Sequence, residues 1–126
     1  MLIRRLEDVI NTIHDVSWGN GTSRRLLIAD DRRGSTLTDT YVAASTETLL
    51  RYDHHLESCY CIEGGGFVEA GNMRHTIEPG TLYSPDKGEE HLVIAGPAGM
   101  RLICLFNPPL SGGETHRIVP GEPSGY

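Results

Sequence analysis

The sequence predicts an all-β domain closed into a barrel or a double-sheet jelly roll, and three observations carry that expectation. Glycine supplies 15 of the 126 residues, above an average usage of about 7%, and it recurs in Pro-Gly and Gly-rich clusters that read as tight turns. Between those clusters, short segments rich in β-branched and aromatic residues follow one another. Eight such segments suit an architecture that leaves no long free edge, because unpaired strand edges invite association. One domain spanning 1–126 is expected, since two halves would each be too small to bury a core.

Taken in order, Arg5 to Asn11 allows one short N-terminal helix, and the polar, Gly-broken stretch Asp15 to Ser23 reads as a loop. Strands are expected over Arg25–Ala29, Thr40–Ala44, Thr48–Tyr52, Ser58–Glu63, Phe67–Ala70, Arg74–Ile77, His91–Ala95 and Arg101–Phe106. Asp30-Asp31, Gly64-Gly65-Gly66, Gly71-Asn72, Pro79-Gly80, Lys87-Gly88 and Gly96-Pro97 supply the turns between them. Beyond Asn107, frequent Pro and Gly leave no room for regular structure, so residues 108–126 form an irregular tail. Two readings of it stay open: a disordered leftover, or a lid that orders over a pocket and brings Glu114, Thr115 and His116 to it.

Composition narrows the function. A net charge of −6, with the 11 Lys and Arg scattered along the chain, offers no basic face for nucleic acid or anionic lipid. No run reaches the ~18 apolar residues of a membrane span, and the charged opening MLIRRLEDVI is unlike a secretory leader, so a cytoplasmic location is expected. Cys59, Cys61 and Cys104 form an odd set and read as reduced, buried thiols rather than as a bridge or a thiolate site.

The densest chemistry lies in Tyr52-Asp53-His54-His55-Leu56-Glu57, followed by the glycine run. A strand presenting His and Glu to a barrel interior, then a glycine-rich hairpin, resembles the first half of a cupin metal site; Pro79-Gly80-Thr81-Leu82-Tyr83 leading to His91 resembles the second. Imidazole and carboxylate suit divalent Fe, Mn, Ni or Zn with a position left open for substrate. The usual cupin His-x-His pair is missing, since Arg51 and Asp53 stand near its places. On spacing alone, His54 and His55 can equally be exposed at a strand end with Glu57 paired to an arginine. Likewise Arg24-Arg25 is either solvated charge or a carboxylate clamp with one arginine turned inward.

Nearly the whole chain resembles ectoine synthase. The resemblance is carried by Ile3-Arg4-Arg5-Leu6-Glu7-Asp8, Thr22-Ser23-Arg24-Arg25-Leu26-Leu27, Thr46-Glu47-Thr48, His54-His55-Leu56-Glu57 with Tyr60-Cys61-Ile62-Glu63-Gly64, Pro79-Gly80-Thr81-Leu82-Tyr83, and Arg101-Leu102 through Phe106-Asn107-Pro108-Pro109-Leu110. It implies a homodimeric cupin jelly roll that uses one divalent metal ion, of the Fe(II) type, to cyclise the small molecule N-γ-acetyl-L-2,4-diaminobutyrate with loss of water. The family's metal ligands fall on Glu57, Tyr83 and His91. Its substrate contacts fall on Arg25, Thr40, Tyr52, Cys104, Phe106, Glu114 and His116, of which Tyr52, Glu114 and His116 are the candidates for moving protons. Gly21 stands where the family has Trp, Thr38 where it has Asn or His, and Gly34-Ser35-Thr36 where it has Gly-Phe-Ser. These departures leave open a related cupin enzyme for another N-acyl diamino acid, or a non-catalytic small-molecule binder. Trp18, three residues upstream of Gly21, either folds back into the gap or packs outside the barrel.

Overall fold

The computed structural model describes the whole chain, Met1–Tyr126. Its strands are β1 (Asp15–Ser17), β2 (Gly21–Leu27), β3 (Thr36–Val42), β4 (Glu47–Leu50), β5 (Leu56–Ala70), β6 (Met73–Ile77), β7 (Leu82–Tyr83) and β8 (His91–Asn107). Every pairing between them is antiparallel. The long strands β5 and β8 pair along most of their length and belong to both layers. The first half of β8 pairs with β4 and with the far half of β5, which continues to β6. Its second half pairs with β3 and with the near half of β5, extended by β2, β1 and β7. The result is the expected cupin-type jelly roll.

Several element boundaries differ from the sequence expectation. The N-terminal helix is a single 3-10 turn, Leu6–Asp8, in which the Asp8 carboxylate accepts the Arg5 N–H at 2.8 Å. It goes no further, although Leu6, Val9, Ile10 and Ile13 stand at helical spacing, because Asn11 adopts a left-handed φ of 64° that a right-handed helix cannot continue through. Asp15–Ser23 is not a loop but the β1–β2 hairpin. Trp18 N donates to Gly21 O at 3.1 Å across its turn, and Gly19 at φ 103° supplies a conformation other residues avoid.

The two Gly-rich segments read as turns lie inside long strands. Gly64-Gly65-Gly66 is the waist of β5, where the register against β8 shifts twice. A Cβ at Gly64 would land on the Gly99 carbonyl and one at Gly66 on the Ile94 carbonyl, so glycine here marks close backbone approach rather than a reversal. Gly96-Pro97 likewise sits within β8.

Alternation sets the core. On β8 His91, Val93 and Ala95, then Met100, Leu102, Cys104 and Phe106, are buried and interleave with more exposed neighbours. On β5 Glu57, Cys59 and Cys61 do the same, so the two cysteines share the interior face, and all three thiols are free. The tail lacks regular strands yet is packed down. Leu110 is fully buried, its N–H donating to Thr36 Oγ1 at 2.7 Å and its carbonyl accepting from Ala29 N at 2.8 Å. Ser124 then bridges in parallel to Leu50, with Ser124 N donating to Leu49 O at 3.0 Å and Arg51 N donating to Ser124 O at 2.9 Å.

Candidate active site

Inward-facing residues of β2, β3, β4, β5, β7 and β8, together with the tail, line a partly open pocket whose free space, counting its mouth, is about 430 Å³. Its lining is mostly apolar, with Val42, Leu50, Val93, Leu102 and Phe106 among the walls and Thr40, Tyr52, Glu57, Cys59, Tyr83, Cys104 and His116 as the groups able to bond or ligate. A mainly apolar pocket with a few convergent polar groups is the usual form of a small-molecule site.

Glu57 and Tyr83 line this cavity, and Tyr83 also borders an adjoining groove that contains His91, the two rings lying 6.5 Å apart. Glu57 Oε1 and His91 Nε2 are both buried without a hydrogen-bond partner. Leaving such groups dry and unpaired costs roughly 1–3 kcal/mol each, more for a charge. Each atom is therefore left open to a partner that the chain itself does not supply. The other nitrogen of His91 meets the Glu89 carbonyl at 3.0 Å, and since a carbonyl only accepts, Nδ1 carries the proton and Nε2 presents its lone pair. Burial pushes Glu57 up to about 7, with Cys59 and Tyr52 pulling the other way. It also depresses the His91 imidazole and raises the Tyr83 phenol. Cys59 and Cys104 place their sulfurs within 4.8 Å of the Glu57 carboxylate and of each other. Burial holds the Cys59 thiol well above its ordinary value. Carboxylate, phenol, imidazole and nearby thiols make a donor set that suits a divalent transition metal. Glu57 forms no ion pair; His54 is exposed and His55 hydrogen-bonds Pro108 O at 2.7 Å, so that pair lies outside the cavity.

Tyr52 and His116 form the second group. The Tyr52 hydroxyl meets His116 Nε2 at 3.0 Å, and His116 Nδ1 meets Ser124 Oγ at 2.9 Å. Burial, then the charges of Arg25 and His91, lowers His116 to about 4, so the imidazole is neutral at neutral pH.

The remaining sequence candidates divide. Thr40 is in the cavity wall, its hydroxyl hydrogen-bonded to that of Thr38 at 2.8 Å, and Cys104 and Phe106 line the wall with it. Arg25 and Glu114 stand behind the wall. Arg25 is turned inward and 1% exposed, but its guanidinium donates to the tail carbonyls of Gly112, at 2.8 Å, and Glu114. The Glu114 carboxylate folds back to accept from Ser111 N, Ser111 Oγ and Gly112 N. Trp18 is 5% exposed, lines the cavity and stands edge-on to His116 at 5.7 Å. The wall missing at Gly21 is thus supplied by Trp18. Gly21 itself has no space for a side chain, because a Cβ would strike the Tyr41 carbonyl.

Sequence reasoning missed Cys59 and Tyr126 as cavity residues. The first was legible, since residues 57 and 59 of one strand share a face. The second was not, because it lies beyond a tail with no periodicity to place it.

The ectoine synthase family model matches residues 1–121. An L-ectoine synthase from Desulfatibacillum aliphaticivorans is 47% identical over 121 residues, covering 92% of each chain. One from Halalkalibacterium halodurans is 45% identical over 118 residues, covering 92% of this chain and 91% of the relative. The crystal structure of ectoine synthase from P. lautus superposes with a TM-score of 0.84 at 41% identity, over 90% of this chain and 83% of the other. A predicted oxalate decarboxylase from Thermotoga maritima shares the fold alone, at TM-score 0.70 and 15% identity over 85% of this chain and 99% of that one. With the motif blocks, the barrel and the family match in agreement over nearly all its length, this chain belongs to the ectoine synthase family of enzymes.

Proposed function

We propose that this chain is an L-ectoine synthase, a carbon-oxygen hydro-lyase that closes the ring of N-γ-acetyl-L-2,4-diaminobutyrate with loss of water. The observation that carries the reading is the pair of buried, unpartnered atoms Glu57 Oε1 and His91 Nε2 beside Tyr83 at the cavity. Glu57, Tyr83 and His91 would hold one divalent ion, iron(II) by family resemblance, with Cys59 next to them. Tyr83 is preferred to a thiol as third ligand because it borders both the cavity of Glu57 and the groove of His91. When bound, the ion supplies Lewis acidity that polarises an amide carbonyl.

The other residues of the cavity handle shape and protons. Phe106 and Trp18 offer apolar walls that fold a flexible chain so that its amine approaches its own amide carbon. Thr40 presents a hydroxyl to the substrate carboxylate, with Arg25 adding positive charge from behind the wall. Ring closure and dehydration together move two protons from the attacking nitrogen to the carbonyl oxygen, the first making the hydroxyl of the tetrahedral adduct and the second letting that hydroxyl depart as water while the C=N bond forms. Neutral His116 accepts each proton from the nitrogen, and Tyr52, hydrogen-bonded to it, passes each to the oxygen. Glu114 acts on this chemistry through the tail it braces.

The protein acts as one cytoplasmic domain over 1–126 and as a homodimer. An apolar strip on the outer face of the barrel supports the dimer: Leu82 and Tyr60 are paired neighbours, and Leu105 pairs with Ser58 between Leu56 and Tyr60, all with large exposed apolar surface. Incubating the metal-loaded protein with N-γ-acetyl-L-2,4-diaminobutyrate and following ectoine by NMR tests the reaction; no product would refute it. Sedimentation velocity tests the dimer.

A further inference from the structure

Resting on the functional reading above, we propose that Tyr126 is a substrate-facing, specificity-determining residue that closes the outer end of the cavity and limits the size of the acyl group admitted. Tyr126 lies beyond the residues that match the family, which end at 121, so the match assigns it nothing. Its ring nevertheless lines the same cavity as Glu57 and Tyr83. It packs 4.6 Å from the His116 ring, 5.2 Å from Tyr52 and 6.0 Å from Phe106, centroid to centroid. On its other side the Arg25 guanidinium sits 5.7 Å from the ring centroid.

Two neighbours make this placement a built one. Ser124 is hydrogen-bonded as an added strand residue against Leu49 and Arg51, the end of β4. At Gly125 the backbone runs so close to the Arg51 carbonyl that any Cβ would collide with it. Serine anchors the tail, glycine lets it pass the strand, and the tyrosine is delivered over the barrel mouth. The cavity is therefore walled on one side by a ring that the docked end of the tail holds in place. The ligand class it selects is an N-acyl-2,4-diaminobutyrate with a short acyl chain, because the ring stands beside the His116–Tyr52 pair that would face the reacting amide.

Compare wild type, Tyr126→Ala and Tyr126→Phe, full length and metal-loaded, on N-γ-acetyl and N-γ-butyryl diaminobutyrate. The alanine variant is expected to lose about tenfold in acetyl-over-butyryl preference in kcat/KM, chiefly through a higher KM for the acetyl substrate, whereas phenylalanine keeps both. A second readout is independent of turnover. Trp18 is the single tryptophan and is buried in the same cavity. Its acrylamide quenching should rise severalfold in Tyr126→Ala and stay low in Tyr126→Phe. Active protein with unchanged acyl preference overturns the proposal and leaves the synthase reading standing. If wild type turns over neither substrate, the synthase reading fails instead, and unchanged Trp18 quenching then overturns the wall as well.

Discussion

Tyr52 and His116, 64 residues apart in sequence, meet hydroxyl to imidazole at 3.0 Å, joining the barrel wall to the tail. The hydroxyl serves as donor or acceptor as the imidazole tautomer changes, so the pair can carry a proton in either direction. Removing the Tyr52 hydroxyl should therefore damage turnover while leaving the metal group alone. Tyr52→Phe is expected to lower kcat by about 10²-fold or more, with metal content by elemental analysis at the wild-type level. A kcat within twofold of wild type would remove Tyr52 from the proton path.

Metal binding should depend on pH through Glu57. In the metal-free protein burial lifts its carboxyl to about 7, so below that pH an ion must displace a proton to bind. Calorimetric titration with Fe(II) or a Zn(II) surrogate should show affinity falling, and proton release growing, from pH 8 to pH 6. Glu57→Ala and His91→Ala should each lose the ion. Full stoichiometry in both would dismiss this ligand set.

The same group predicts how metal-free stability moves. Its folded value of about 7 lies above the ordinary 4.5, so the native state holds this proton more tightly and stability falls as pH rises from about 4.5 to 7. The change is on the order of 3 kcal/mol. His116 runs the opposite way: lowered from 6.5 to about 4, it contributes stability that is lost as pH falls through that window. The two oppose each other between about 4.5 and 6.5. Thermal melts of metal-free Glu57→Gln should therefore gain stability steadily from pH 4.5 to 7; a profile identical to wild type would contradict the Glu57 assignment.

The tail should matter for folding as well as for turnover, contrary to what its sparse apolar content suggests. It accepts the hydrogen bonds of buried Arg25, holds Ser124 against β4 and covers the cavity with Tyr126. Truncation after Leu110 is expected to abolish activity and to lower the Tm by several degrees, the equivalent of about 1–3 kcal/mol for a domain this small. An unchanged Tm would show the tail to be only laid over the barrel.

Trp18 and Gly21 make an asymmetric pair of tests. Trp18→Ala should destabilise by about 3–5 kcal/mol and raise KM, because it empties a wall. Gly21→Trp, the change that would restore the family residue by position, should fail to accumulate as folded protein, because its Cβ has no room beside Tyr41. A well-folded Gly21→Trp would mean the hairpin can move.

What could be read from one dimension is what depends on neighbours along the chain. Alternating apolar residues gave the strands, and the resemblance of the motif blocks to the ectoine synthase family, rather than spacing, pointed to Glu57, Tyr83 and His91 as the candidate metal group. Glycine was misread at Gly64–Gly66 because a local signal does not distinguish a reversal from a strand pressed against another backbone. The distinction lies in the Gly99 and Ile94 carbonyls, about 30 residues away in sequence. Trp18 was placed only when the β1–β2 hairpin folded it inward, and Tyr126 only when Ser124 docked on β4. The two tail carbonyls that engage the inward-turned Arg25 were likewise not legible in the sequence. Each of these depends on which backbone groups lie within hydrogen-bonding or van der Waals reach once the barrel has closed, and that proximity has no period, composition or spacing in the sequence to announce it.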